Sequence, residues 1–364
     1  MKYILRNKLR LIPMALTAFL LTLSLTACGN ASGGAGSAEP EGAAEEYSKT
    51  VYAMDIPIDL KAWGKQAREA VEEAGQELQR IDSLLSVTNA ESQIGQLNAR
   101  TGSTISGETL DVVQDSVRLS ELTGGAFNIT IYPVVRAWGF TTGGEYRVPS
   151  DAEITELLTH VGMDKFTLSE SGNDSAEVVF SDEKTMLDTG AITKGYASDR
   201  VYEIFDSHGI DSALCSLGGN IITKGKKTDG SQWRVGITDP FNPDDYCIAV
   251  AVEDKFLVTS GGYERYFNAD DGIRYIHIMD PETGRPVDND LESVTIISDH
   301  GAEADALSTA LFVKGRDAAI DFWKNCTELE FDMILIDDDG TMYVTEGIAD
   351  SSTATGNYPV KIIH

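Results

Sequence analysis

Six short stretches of this 364-residue chain gather side chains suited to chemistry rather than packing. In LDTGAITKGYASDRV (Leu187 to Val201), Asp188 and Lys194 stand among Gly190, Ala191 and Gly195. A nucleotide-triphosphate loop needs its lysine directly after a glycine at a helix start, and here Lys194 precedes Gly195. What remains is small residues that leave room for a ligand near a helix N-terminus, a lysine for a phosphate and an acid to accept a hydrogen bond. The same letters also describe an ordinary helix start with an exposed lysine. In GAEADALSTALFVKG (Gly301 to Gly315), Asp305 and Thr309 lie four apart on one helical face, hard oxygen donors suited to Mg²⁺, or else part of an acidic helix start.

The other four stretches are less specific one by one. YIHIMDPETGRPV (Tyr275 to Val287) sets His277 on a strand ahead of an Asp-Pro turn, a position that suits either proton transfer or a structural histidine. SLGGNIITKG (Ser216 to Gly225) and VTSGGYERYF (Val258 to Phe267) each carry a Gly-Gly pair, with a hairpin as the default reading. GGAFNITIYPVVRAWGF (Gly124 to Phe140) joins a Gly pair to four aromatic rings, a core or turn signal as much as a binding one.

The elements needed to position these residues can be read from periodicity. A strand is expected over Thr50 to Gly64, then an amphipathic helix over 64–85 with Ala70, Val71, Ala74, Leu78, Ile81 and Leu85 near one face. Further helices are expected over 108–122, 150–161, 194–208 and 302–313, with another after Arg316. Short strands fall over 166–187, and beyond residue 212 the pattern is mainly β. Strands and helices do not alternate regularly, so an α+β fold with antiparallel sheets and packed helices is favoured over a doubly wound parallel sheet.

The ends and the charge add context. Lys2, Arg6, Lys8 and Arg10 precede an apolar run from Leu11 to Leu25, which reads as a signal peptide over 1–27. It closes on LTAC with Gly29 following, which resembles a bacterial lipobox and implies cleavage before Cys28 and lipidation of its thiol. Residues 28–49 read as a flexible Gly/Ala/Ser/Glu tether and 50–364 as one domain. Cys215, Cys247 and Cys326 show no metal-binding spacing and read as small apolar residues. The formal charge is −29; without the four basic residues of 1–27 it is 25 basic against 58 acidic, or −33. Such a surface repels nucleic acid, and an anionic substrate then needs a local lysine, backbone amides or a divalent cation.

Taken in order, DTGAITKGYASDRV, SLGGNI, TSGGYERYF, HIMDPETGRPV and EADALSTALFVKG resemble the ApbE family of FAD:protein FMN transferases. GAFNITIYPVVRAWGF, SLLSVTNAESQIGQLN (Ser83 to Asn98) and YAMDIPIDLKAWG are similar to earlier family segments. The resemblance implies a T-fold-related α+β fold, FAD as substrate, Mg²⁺, and transfer of FMN to a hydroxyl of a partner protein with release of AMP. It implies FAD contacts at Met54, Val87, Ala126, Phe127, Asn128, Asp188, Lys194 and Ile278, and metal ligands at the Ala191 carbonyl, Asp305 and Thr309. Lys194 would face the phosphates and His277 would move the proton, its ordinary pKa suiting that work near neutrality. The partners implied are exported flavoprotein subunits of membrane electron-transport complexes with a Ser/Thr-Gly-Ala-Thr-like motif, met at the extracytoplasmic membrane face. Asn128 and Gly262 stand where the family commonly has aspartate, and Val87 where it commonly has tyrosine. The competing functions are an FAD pyrophosphatase giving FMN and AMP, and a lipoprotein that binds FAD without chemistry.

Overall fold

The computed structural model describes residues 45–364 apart from Thr142, Gly143, Asn173 and Asp271. The signal peptide and Cys28 lie outside the described residues, as does most of the tether.

Nine strands form the central sheet: β1 (Glu46–Ala53), β2 (Ile56–Trp63), β3 (Ser212–Leu217), β4 (Asn220–Gly225), β5 (Lys255–Gly261), β6 (Leu291–Ser298), β7 (Phe331–Asp337), β8 (Met342–Thr345) and β9 (Val360–Ile363). Their spatial order is their chain order. Every neighbouring pair is antiparallel except the last, β8 with β9. This is the expected α+β class.

Alternation along the strands explains why the sheet is covered on both faces. Phe256, Val258, Val294, Ile296, Met333 and Leu335 join one core cluster; Leu257, Ile297, Ile334 and Ile336 join a second. A period of two sends successive side chains to opposite faces, so each of these strands feeds both cores. On the first face lie α1 (Ala67–Leu85), α2 (Glu108–Leu122), α3 (Gly190–Ser207), α4 (Gly301–Lys314) and α5 (Arg316–Asn325). On the second lies a three-stranded sheet, Trp233–Asp239, Asn242–Val252 and Ser352–Ala354. Leu78, Ile81 and Leu85 of α1 are fully buried, each contributing about 1.5–3 kcal/mol of transfer free energy.

Three expectations change here. The strand over Thr50 to Gly64 is a hairpin: Ala53 pairs with Ile56 across a turn at Met54 and Asp55, both with positive φ (53° and 61°). Two successive left-handed residues make the turn that matches strand twist, normally an Asn-Gly role, and here two ordinary side chains bear the strain. The tether ends early, because Glu46 to Lys49 already belong to β1 and pair with Trp63 to Leu60. RYIHIMDP is not one strand: Arg274–Ile276 pairs with Tyr266–Asn268, Met279–Asp280 pairs with Arg285–Pro286, and His277 sits at the bend between. The three described downstream cysteines are free; Cys215 and Cys247 are buried.

A small lobe closes one side. Val134, Trp138, Phe140, Ile154 and Met279 form a third core, against which Phe267 and Tyr275 pack. Trp138 Nε1–H donates to the Gly284 carbonyl (2.9 Å), fixing this lobe against the DPETG turn.

Candidate active site

α3 and α4 touch backbone to backbone. A Cβ placed on Gly195 would fall on the Gly301 carbonyl oxygen and 2.6 Å from Asp305 Cβ; one on Gly301 would fall 2.5 Å from the Gly195 oxygen. Ala191, Gly195 and Asp199 lie at intervals of four along α3, and Gly301, Asp305 and Thr309 along α4. Residues four apart share a helical face, so two matching stripes meet. Asp305 stands in the second turn of α4, only 3% exposed. It is therefore no solvated acid complementing the helix dipole, the alternative that the sequence left open.

Its two oxygens are divided. Oδ2 accepts from Gly195 N–H (2.8 Å), and Oδ1 lies 3.6 Å from Lys194 Nζ. In a regular helix the Gly195 N–H would serve the Ala191 carbonyl. A carbonyl has two lone pairs, so the Ala191 oxygen keeps acceptor capacity beyond that helical bond. Thr309 Oγ1 lies 3.4 Å from Ser260 Oγ, which is itself 2.8 Å from Ser308 Oγ. A carboxylate, a backbone carbonyl and a hydroxyl form a hard oxygen set that fits Mg²⁺. Among the described residues no cluster of three His, Cys, Asp or Glu is placed to hold a metal. A cation here would draw further oxygens from substrate and water, the usual habit of Mg²⁺ at phosphates.

These groups open onto a cleft of about 370 Å³, within the range of small-molecule sites. Met54, Val87, Phe127, Asn128, Asp188, Lys194 and Ile278 all line it, with Ala191, His277, Asp305 and Thr309. Ala126 does not line it; the residue is half-buried against the main core beside Phe127. Asn128 Oδ1 accepts from the Thr130 N–H (2.9 Å) and hydroxyl (2.6 Å), which leaves its amide nitrogen for a ligand. Asp188 Oδ1 accepts from Gly190 N–H (2.8 Å) at the start of α3. Burial raises the Asp188 pKa, while that N–H and the Arg265 charge act the other way.

His277 differs from its expected state. Its ring Nδ1 is 3.1 Å from the Arg265 carbonyl, an acceptor only, so Nδ1 carries the proton and Nε2 keeps its lone pair. Burial, then the charges of Arg265 and Lys194, push its pKa down to about 4. The expectation of an ordinary imidazole pKa is corrected: the ring is neutral across the physiological range. The unfolded chain binds this proton between about pH 6.5 and 4 and the folded protein does not, so stability from this group is present above that window and is lost as pH falls through it. Urea midpoints measured from pH 4 to 7 should therefore rise with pH less steeply in His277→Gln than in the parent. Parallel curves would remove the assignment.

Two cleft residues escaped the sequence reading. Glu264 and Arg265 sit between Tyr263 and Tyr266, where a charge pair looks like a solvated surface. Glu264 keeps an exposed edge, yet the protein packed around its carboxyl in the cleft raises it to about 7, with Lys194 opposing and Asp305 pushing the same way. Arg265 donates to the Phe140 carbonyl (2.9 Å), tying the cleft to the aromatic lobe. Five acids (Asp55, Asp82, Asp188, Glu264 and Asp305) line the cleft against two permanent cations, Lys194 and Arg265. An anionic ligand entering it needs added positive charge.

Residues 54–333 match the ApbE family, well over half of the chain. The chain belongs to the ApbE family. An ApbE relative named FAD:protein FMN transferase, from Vibrio cholerae, is 34% identical over 271 residues, 72% of this chain and 78% of its own. Another of that name, from Treponema pallidum, is 32% identical over 341 residues, 87% of this chain and 91% of its own. Among solved structures, the ApbE protein of Thermotoga maritima superposes with a TM-score of 0.75 at 30% identity, covering 83% of this chain and 98% of its own. The flavin transferase ApbE of Vibrio cholerae gives 0.72 at 29% identity, with the same coverage. The sheet order, the paired helices and the cleft described above are thus an ApbE fold.

Proposed function

We propose that this protein transfers FMN from FAD to a threonine or serine hydroxyl of a partner flavoprotein and releases AMP, with Mg²⁺ held by the Ala191 carbonyl, Asp305 and Thr309. The observation that carries the reading is the Lys194–Asp305 pair at the crossing of α3 and α4, facing the cleft beside two further oxygen donors. The curated relatives named FAD:protein FMN transferase support the substrate and the reaction.

Each part of the cleft has a task in that reaction. Lys194 neutralises a phosphate oxygen, and Phe127 and Ile278 offer apolar surface to the rings of the dinucleotide. The acceptor Oγ attacks the FMN phosphorus; the new P–O bond forms as the pyrophosphate P–O–P bond breaks and AMP leaves. His277 Nε2 takes the hydroxyl proton. The diphosphate's negative charge beside the ring raises its pKa from about 4 toward the working pH, so the ring becomes a better base once substrate is bound. Mg²⁺ would supply Lewis-acid polarisation of a phosphoryl oxygen and offset the acids of the cleft.

The location belongs to the same reading. LTAC-G implies a lipid on Cys28 that holds the domain at the extracytoplasmic membrane face. Confinement with a membrane-bound acceptor raises their effective concentration.

Incubation with FAD, Mg²⁺ and an acceptor protein carrying a Ser/Thr-Gly-Ala-Thr-like segment should give a flavin-fluorescent acceptor band on a denaturing gel, and AMP in equal amount. AMP without labelled acceptor would replace transfer by FAD hydrolysis. Bound FAD with no AMP would leave a binding protein.

A further inference from the structure

α4 begins without a cap of its own. His300 holds the N-cap position with an extended backbone, and its side chain makes no bond to the first turn. The first two N–H groups of the helix go instead to another helix. Gly301 N–H donates to Asp199 Oδ1 (2.6 Å) and Ala302 N–H to Asp199 Oδ2 (2.8 Å). Unpaired N–H groups at a helix start are usually met by the residue just before it, so a bidentate carboxylate from α3 is a departure that fixes one helix against the other.

The position of Asp199 gives that departure its meaning. The stripe Ala191–Gly195–Asp199 meets the stripe Gly301–Asp305–Thr309, and the observed contacts run in register: Asp199 with Gly301, then Gly195 with Gly301 and Asp305. The far ends of the two stripes are Ala191 and Thr309. The geometry points to Asp199 as a positioning residue that locks the register of α3 and α4 and so sets the spacing of the three oxygen donors that hold the divalent cation. This rests on the assignment of those donors under the proposed function.

Stability alone does not account for an acid here. Burial pushes Asp199 up to about 6 despite the two N–H donors. A carboxylate whose folded pKa lies above its unfolded one costs stability as pH rises through that window, a cost present in full at neutral pH. What the ionised group supplies is geometry: two fixed acceptor atoms in one plane. An asparagine can accept from only one of the two N–H groups and turns its own NH₂ toward the other.

The test is a Mn²⁺ titration of the full chain followed by electron paramagnetic resonance, with transfer kinetics against Mg²⁺ run in parallel. Asp199→Asn is expected to raise the Mn²⁺ dissociation constant at least tenfold and the KM for Mg²⁺ similarly, while kcat at saturating metal changes by less than threefold. Arg118→Gln serves as a structural control, because Arg118 ties α2, not α3, to Glu303 in the same first turn of α4 (2.7 Å). It should leave the Mn²⁺ constant within twofold. The double variant Asp199→Asn, His300→Asp restores a cap local to α4 but not the tie to α3, and keeps the helix formed if the single variant unfolds. Its Mn²⁺ constant should stay at least tenfold raised. A wild-type constant in either Asp199 variant, with wild-type protein binding Mn²⁺ normally, would overturn the positioning role alone. Wild-type protein that binds no Mn²⁺, with or without FAD, would overturn the donor assignment and this inference with it.

Discussion

Asp305→Ala should lower the rate of flavin transfer by about a thousandfold at millimolar Mg²⁺, with FAD and acceptor saturating. Losing the carboxylate removes the one anionic donor among the three proposed for the cation. Metal polarisation of a phosphoryl oxygen is worth several kcal/mol, and each ~1.4 kcal/mol is a factor of ten in rate. The change also strips the Gly195 N–H of its 2.8 Å acceptor and leaves Lys194 without its 3.6 Å counter-charge. Asp305 is only 3% exposed, so the Gly195 N–H it vacates is a buried donor left without its protein acceptor. Steady-state production of acceptor-bound flavin, paired with Mn²⁺ binding, checks this. Transfer within tenfold of the parent would mean that the phosphoryl chemistry does not run through this residue.

Gly195→Ala should have a comparably large effect, this time on folding. The added methyl group meets the Gly301 carbonyl and Asp305 Cβ, which are backbone or backbone-proximal atoms unable to rotate away. Gly195 has an ordinary helical backbone, so alanine's better helix propensity favours the substitution by ~1 kcal/mol, and steric clash must outweigh that. Overpacking of this kind costs about 3 kcal/mol, so the net loss is roughly 2 kcal/mol, or about 3 °C in Tm at an unfolding entropy of ~2.1 cal/mol/K per residue over a domain this long. Circular dichroism melts check the stability, and the same preparation should show weakened Mn²⁺ binding as the helices part. An unchanged Tm with unchanged metal affinity would refute the close approach of α3 and α4.

How much of this the sequence carried depends on the range over which each feature is encoded. α2 appears over Glu108–Leu122, where the sequence reading placed it, because an apolar stripe and a Thr-Gly-Gly stop are local signals. α3 starts at Gly190 rather than at 194, since Asp188, Thr189 and Gly190 look like loop residues until the tertiary contacts of the helix are formed. The turn at Met54 and Asp55 was illegible because methionine does not favour positive φ and no glycine follows the aspartate; the pairing of β1 with β2 imposes it. Edge strand β1 resembles the tether in composition, with an open side that tolerates Glu46, Ser48 and Thr50. At the site, residue types marked Lys194, Asp305 and Thr309, but no local pattern announces that stripes from two distant helices meet. Glu264 was missed because its setting is created by the fold around it.

The Asp305–Gly195 hydrogen bond joins positions 110 residues apart in the chain, with four of the nine sheet strands (β3 to β6) and the whole second-face pair Trp233–Val252 lying between them. No segment of the protein shorter than that span contains the site. A nick, truncation or local opening that releases any intervening strand dissolves the crossing rather than loosening a flap over it. The proposed site should therefore be lost only with the fold as a whole, and turnover should serve as a gauge of global folding: in urea, activity and the far-ultraviolet signal should fade together instead of activity failing first.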